Sequence, residues 1–235
     1  QLFKTILSPD EVAAIVFEPI QGEGGYIVPP PEFFEELKRL SRKHGILLIA
    51  DEVQSGMGRT GKMFAVEHFG LEPDIIALAK GIASGLPLGA IVARAELMSW
   101  PPGSHASTFG GNPISCAAAL ETIRLLEDEL MQNAAETGEY LLESLRKLMT
   151  RCSVIGDVRG LGLMIGIELV KDRATKEKAG AWRDLAVRRC FEKGLLILGC
   201  GENTLRLMPP LIVNPAQADA ALEILEEVLS AIPGT

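Results

Sequence analysis

Cysteine is scarce and poorly spaced for chemistry. Four cysteines stand at positions 116, 152, 190 and 200, none in a C-x-x-C pair, and His44, His68 and His105 are scattered. No zinc framework fits that spacing, and a chain of 235 residues needs no disulfides to hold its core. The expectation is reduced thiols, a cytoplasmic protein and no metal site. Basic charge is also short. There are 23 Lys and Arg against 31 Asp and Glu, a net charge of −8 with no basic block, so a nucleic-acid partner is not expected. Charge-free apolar stretches such as 85–93 (GLPLGAIVA) are broken by glycine and proline and are too short to span a bilayer, so no membrane partner is expected either. No G-x-G-x-x-G or G-x-x-x-x-G-K-[ST] follows a strand-like run, which disfavours a nucleotide-binding domain. The opening stretch, QLFKTILSPDEVAAIVFEP, has no small-residue cleavage site and does not read as a signal peptide. It reads as a chain that starts partway through something.

What is present is globular. Hydrophobic residues make up 47% and charged residues 23%, and the length sits between one large domain and two small ones. Apolar runs of strand length at 13–17 and 46–50 flank a helix-period stretch at 32–43, in which Phe33, Phe34, Leu37 and Leu40 share a face. Pro31 suits a first helical position and Gly45 a stop. A short helix near 62–69 and strands near 74–78 and 88–93 continue the alternation, which implies an α/β layer with a parallel sheet covered on both faces. After residue 112 the pattern changes. A long helical stretch from Asn112-Pro113 to about Met149 breaks near Gln132-Asn133. Candidate strands follow at 154–158, 163–169, 195–198 and 204–208, with a helix near 182–193 and a last helix from Asn214-Pro215 to about Ile232. The division expected is 1–130, an α/β sheet domain, and 131–235, a smaller α+β domain.

Five segments carry chemistry-bearing residues. Asp51 ends an apolar strand, the edge at which open α/β sheets bind ligands, and the loop DEVQSGMGRTG (51–61) holds three glycines in eleven residues. Lys80 follows the strand-like run PDIIAL and precedes a Gly-rich turn. A desolvated lysine there would be a nucleophile, while a lysine reaching water along its stem would be structural. HASTFGGNP (105–113) places hydroxyls and backbone amides before a helix start, which suits a phosphate or an ordinary capping loop. Arg206 is the one charge in LRLMPPL (205–211); a bidentate grip on a carboxylate and a buried structural ion pair both explain it. Glu23 in EPIQGEGG (18–25) is either a switchable partner for an arginine or an exposed turn acid.

Together these segments resemble the class III aminotransferases, pyridoxal-phosphate enzymes of fold type I. EPIQGEGG, DEVQSGMGRTG, PDIIALAKGIASGLPLGA, STFGGNP, DVRGLGLMIGIEL (157–169) and LRLMPPL occur in the family's order and spacing. The resemblance implies part of the large, mostly parallel sheet domain followed by the C-terminal α+β small domain. It implies that Lys80 forms the Schiff base with pyridoxal 5'-phosphate and shuttles a proton, that Asp51 sits at the pyridine nitrogen, that Gln54 bonds the ring 3-oxygen and that Val53 packs on the ring. It further implies a homodimer in which Thr108 reaches the phosphate of the neighbouring site. Arg206 would bind a substrate α-carboxylate, and Glu23 would pair with Arg206 when the substrate lacks one. The likeness is to the 4-aminobutyrate, acetylornithine and ornithine aminotransferases, with CGENTLRLMPPL (200–211) most like the 4-aminobutyrate group. That implies transfer of an amino group from an ω-amino acid to 2-oxoglutarate. Amino-acid racemisation by the same residues is the alternative, and an inactive truncated fragment is another. The resemblance covers only the family's C-terminal half. The isolated chain is therefore expected to be inactive and aggregation-prone until the other half is supplied; transaminase turnover by the purified chain would refute this.

Overall fold

A computed structural model describes residues 2–232, which cluster into two compact units. The first takes the chain up to Pro19, Pro29–Met57 and Lys62–Glu127; the second takes Ile20–Val28, Gly58–Gly61 and the chain from Asp128 onward. The excursions Ile20–Val28 and Gly58–Gly61, which a contiguous division at 130/131 assigns to the sheet domain, cluster instead with the second unit. Local pattern cannot show this, because both segments are held by contacts with residues more than a hundred positions away, such as Gly201 N–H on the Glu23 carbonyl (2.7 Å) and Leu163 N–H on the Arg59 carbonyl (2.9 Å).

The first unit opens with a short helix α1 (Leu2–Thr5) and is built on four strands. β1 (Ala14–Phe17), β2 (Leu47–Asp51) and β3 (Ile75–Leu78) are parallel neighbours, and β4 (Ala90–Ala93) joins β3 antiparallel. The β1-to-β2 crossover is α2 (Pro31–His44), started by Pro31 at a position where its missing N–H is harmless. It stops at Gly45, whose left-handed φ of 68° lets its N–H close on the Ser41 carbonyl at 2.8 Å. Phe34 and Leu37 of α2 meet Phe17, Leu48, Ala50, Val66 and Leu71 in one apolar cluster, with Phe34 stacked on Phe69. That cluster covers one face. The expectation of a sheet covered on both faces is not met, since β2 alternates buried and half-buried positions and Val16 is 65% exposed. α3 (Pro113–Leu125) completes the unit; the Asn112 side chain caps it, accepting from Ile114 N (3.0 Å) and Ser115 N (3.3 Å).

The helical stretch breaks in a π-turn at Leu126–Leu130, slightly before the position expected, and α4 (Met131–Arg151) begins the main part of the second unit. There β5 (Ile155–Leu161), β6 (Met164–Asp172), β7 (Glu177–Lys178), β8 (Leu198–Cys200) and β9 (Thr204–Leu207) form an antiparallel sheet in the order β5-β6-β9-β8, with β7 on β6. β7 has two residues, too short to leave a sequence pattern. α5 (Gly180–Glu192) and α6 (Pro215–Ser230) complete the unit, and Asn214 and Gln217 form a reciprocal capping box at the start of α6. Leu145, Ile155, Leu163, Ile165, Ile167, Leu169, Leu205 and Leu225 form the centre of its core. Among the described residues no helix is long and apolar enough to cross a membrane.

Candidate active site

In the first unit, Asp51 is the last residue of β2 and lies opposite Ala77 of β3. Lys80 follows three residues later, where β3 gives way to a 3-10 turn at Lys80–Ala83. The two strands are parallel, so the acid and the amine leave the sheet at the same carboxyl edge. Open α/β sheets bind ligands at that edge. The local backbone is shaped for this placement. Lys80 has a φ of +45°, a left-handed conformation uncommon for a residue with a Cβ. Its side chain is exposed in this chain, so the desolvation envisaged from the sequence does not come from the described residues. The strand ends at Leu78, and Ala79 alone links it to the turn that Lys80 opens. Among the described residues neither Lys80 nor Asp51 takes part in an ion pair.

Glu52 anchors the Asp51 loop. It is 1% exposed, takes a hydrogen bond from Ser55 Oγ at 2.6 Å and caps the next turn by accepting from Val66 N at 2.8 Å. Burial pushes its carboxyl above the ordinary glutamate range, against the pull of those hydrogen bonds. One oxygen of Asp51 accepts from Val53 N at 3.0 Å. Gln54 Oε1 is buried with no hydrogen-bond partner, the one such side-chain atom among the described residues. A buried, unmet acceptor is costly unless a ligand meets it. Thr108 lies in the exposed loop before α3. Three of the amides at that helix start have partners within the chain: Asn112 takes those of Ile114 and Ser115, and Ser107 Oγ accepts from Gly110 N. Thr108 is exposed beside them.

In the second unit, Arg206 of β9 and Glu23 form an ion pair through Arg206 Nη1 and Glu23 Oε1. The pair is asymmetric: the Arg206 side chain is 17% exposed and that of Glu23 71%. The cation is mostly buried while its carboxylate partner faces solvent. Behind them Tyr26 is fully buried, with a φ of +52° and its hydroxyl donating to Met208 Sδ at 3.2 Å. Arg59 donates to the Pro209 carbonyl; burial pulls its guanidinium below the ordinary range, opposed by Tyr26. The sequence pattern points to neither Tyr26 nor Arg59. The one signal for Arg59 is a lone arginine inside a glycine-rich loop.

Burial pushes the Tyr26 phenol up to about 12, with the Arg206 charge pulling the other way. A raised phenol keeps its proton in the folded protein after the unfolded chain has lost it. Its contribution is thus complete below about pH 10 and is lost as pH climbs toward about 12, by roughly 2–3 kcal/mol in all. Thermal melts at about pH 9 and about pH 11 should show roughly half of this loss, and Tyr26→Phe should reduce it. Equal slopes in the two proteins would contradict the assignment.

The chain matches known proteins along nearly all its length. The family model for Aminotransferase class-III matches residues 2–229. The leucine/methionine racemase of Thermococcus litoralis is 48% identical over 223 residues, covering 94% of this chain and 50% of that protein. The 4-aminobutyrate aminotransferase GabT of Escherichia coli is 45% identical over 231 residues, covering 97% of this chain and 54% of that protein. A solved amine transaminase from an uncultivated Pseudomonas species, in its PLP-bound form, superposes with a TM-score of 0.90 at 36% identity, covering 97% of this chain and 54% of that one. The fold is that of fold type I pyridoxal-phosphate enzymes. The chain belongs to the class III aminotransferase family, whose members depend on that cofactor. It spans about half the length of the curated relatives it matches.

The residues present fit the cofactor. Gln54 offers a buried polar group with no internal partner, Asp51 a carboxylate at a strand end, and Lys80 a primary amine at the same edge.

Proposed function

We propose that this chain supplies the lysine, the ring-nitrogen acid and the carboxylate-binding arginine of an aminotransferase. The enzyme moves an amino group from an ω-amino acid, of the 4-aminobutyrate or ornithine type, to 2-oxoglutarate. Bound pyridoxal 5'-phosphate supplies an electron sink for the carbanion formed at the substrate. In this reading Lys80 Nζ holds the cofactor and then carries a proton to and from the substrate α-position. The negative charge of Asp51 keeps the pyridine nitrogen protonated. Gln54 meets the ring 3-oxygen and Val53 packs against the ring. Arg206 grips the α-carboxylate of the 2-oxo acid, and Glu23 neutralises Arg206 when an ω-amino donor brings no carboxylate to that point.

The observation that carries this reading is the Glu23–Arg206 pair: a held cation whose exposed partner can leave. A site built for α-carboxylates alone has no use for an internal competitor. A homodimer fits the same reading. Trp100, Phe109, Ile114 and Leu120 are large apolar side chains exposed around Thr108 and along α3, as expected of a face that a second copy covers while Thr108 reaches its neighbour's phosphate. The four unpaired thiols support a cytoplasmic setting. The two units correspond, in this reading, to the C-terminal part of the large domain and to the small domain.

Racemisation of an amino acid is the second reading, favoured by the 48% identity to a racemase. It uses the same Lys80 and Asp51. Incubating the holoenzyme with one enantiomer of an amino acid, without any oxo acid, separates the two. Stoichiometric pyridoxamine phosphate is the result expected for a transaminase. Accumulation of the mirror-image amino acid would overturn the transaminase reading.

A further inference from the structure

Arg159 has no role in the reading above, yet it makes more polar contacts than either member of the Glu23–Arg206 pair. It sits on β5 opposite Gly166 of β6, and Gly166 in turn sits opposite Arg206 of β9. The two arginines therefore occupy one rung of the sheet and project from the same face, with a glycine between them. The turn bearing Glu23 lies in that gap. A Cβ on Gly166 would come within 3.0 Å of Tyr26 Cβ, so the missing side chain is the room the turn occupies.

Arg159 grips the turn directly. Its Nη2 donates to the Gly25 carbonyl at 2.7 Å and its Nε to the carbonyls of Gly25 and Tyr26 at 3.2 Å each. Nη1 is fixed on Asp157 (2.8 Å) and Glu168 (2.7 Å), and Nη2 also reaches Thr204 Oγ1 at 3.2 Å. On the other side of the turn, Gly201 N–H holds the Glu23 carbonyl at 2.7 Å. The backbone on both sides of Glu23 is thus pinned while its side chain is 71% exposed.

We propose that Arg159 is a positioning residue for the carboxylate switch. It fixes the Glu23–Tyr26 turn on the sheet, so that Glu23 leaves and regains Arg206 by side-chain rotation alone. The inference rests on the reading of Arg206 as a carboxylate site given above. A tethered carboxylate competes with a free one through its effective concentration, and a loose tether lowers that concentration. Weakening Arg159 should then make Arg206 easier for a free carboxylate to reach.

The test is a double-mutant cycle on the full chain, with glutarate as the probe and the Arg206 Nε–Hε resonance as the readout. Arg159→Lys keeps a positive charge beside Asp157 and Glu168 but cannot fork onto two carbonyls. It should tighten glutarate binding roughly two- to fivefold, the effect of loosening an exposed ion pair. Glu23→Gln should tighten it at least as much, and adding Arg159→Lys to Glu23→Gln should change nothing further. An Arg159→Lys effect that persists without the Glu23 carboxylate, or a loss of affinity, would overturn the proposal. No response to Glu23→Gln would instead remove the Arg206 carboxylate reading, and the inference with it. If Arg159→Lys unfolds the second unit, Glu168→Gln, which frees one anchor of Arg159, should give a smaller tightening in the same direction; no tightening in that variant would likewise overturn the proposal.

Discussion

Lys80→Ala in the holoenzyme is expected to lower turnover by about 10³-fold or more, the scale of a lost proton shuttle combined with a lost covalent anchor. Three features direct this expectation to Lys80 and to no other lysine. It leaves the sheet at the carboxyl edge that Asp51 also occupies, on the neighbouring parallel strand. Its backbone holds a left-handed φ of +45°, a conformation maintained only where the surroundings require it. Among the described residues no acid takes up its amine. Borohydride reduction of the wild-type holoenzyme should fix the cofactor to the peptide that carries Lys80, and the alanine variant should release it on denaturation. Label on a different lysine, or a variant with near-normal turnover, would remove Lys80 from the chemistry.

Gly138→Ala is expected to destabilise the second unit by about 3 kcal/mol, at the upper end for overpacking. Gly138 lies buried within α4, where local propensity argues the other way: alanine is favoured over glycine by about 1 kcal/mol in a helix interior. The packing decides the sign. A Cβ at Gly138 would lie 2.3 Å from the carbonyl carbon and oxygen of Gly162, and a Cβ at Gly162 would lie 2.5 Å from the Thr60 carbonyl carbon. Three backbones meet there: α4, the turn between β5 and β6, and the Gly58–Gly61 excursion. No side chain in that contact can rotate away, and Gly162 is already committed to a φ of +52°. The melting temperature should fall by roughly 6–12 °C for a protein of this size. A variant that melts at or above the wild-type temperature would show that helix propensity prevails and that the contact is slack.

Much of the candidate site is legible in the amino-acid sequence. Asp51 and Lys80 follow apolar runs, and an apolar run ending in a charge marks a strand end through hydrophobicity alone. Arg206 stands out as one charge among apolar neighbours, and the fold gives it the acidic partner that this isolation demands. The helix limits are legible for similar reasons. Pro31, Gly45, Asn112 and the Asn214–Gln217 pair each act on the backbone within a few residues of themselves. Arg159, Tyr26 and Arg59 are not legible, because nothing near them in the chain shows what they touch. Arg159 reaches carbonyls more than 130 positions away, and Arg59 one that lies 150 away.

The sequence by itself determined which residues end strands, which residues start and stop helices, and the family whose motifs the chain carries, because each of these depends on side chains a few positions apart. The tertiary structure alone decided that Arg159, Gly166 and Arg206 share a rung, that the Glu23 turn fits into the gap the glycine leaves, and that Gly138 has no room for a methyl group. Those facts depend on strand register and on the closing of long loops. A one-residue slip of β9 against β6 would send Arg206 to the other face of the sheet, away from Arg159 and the Glu23 turn, without changing one local preference.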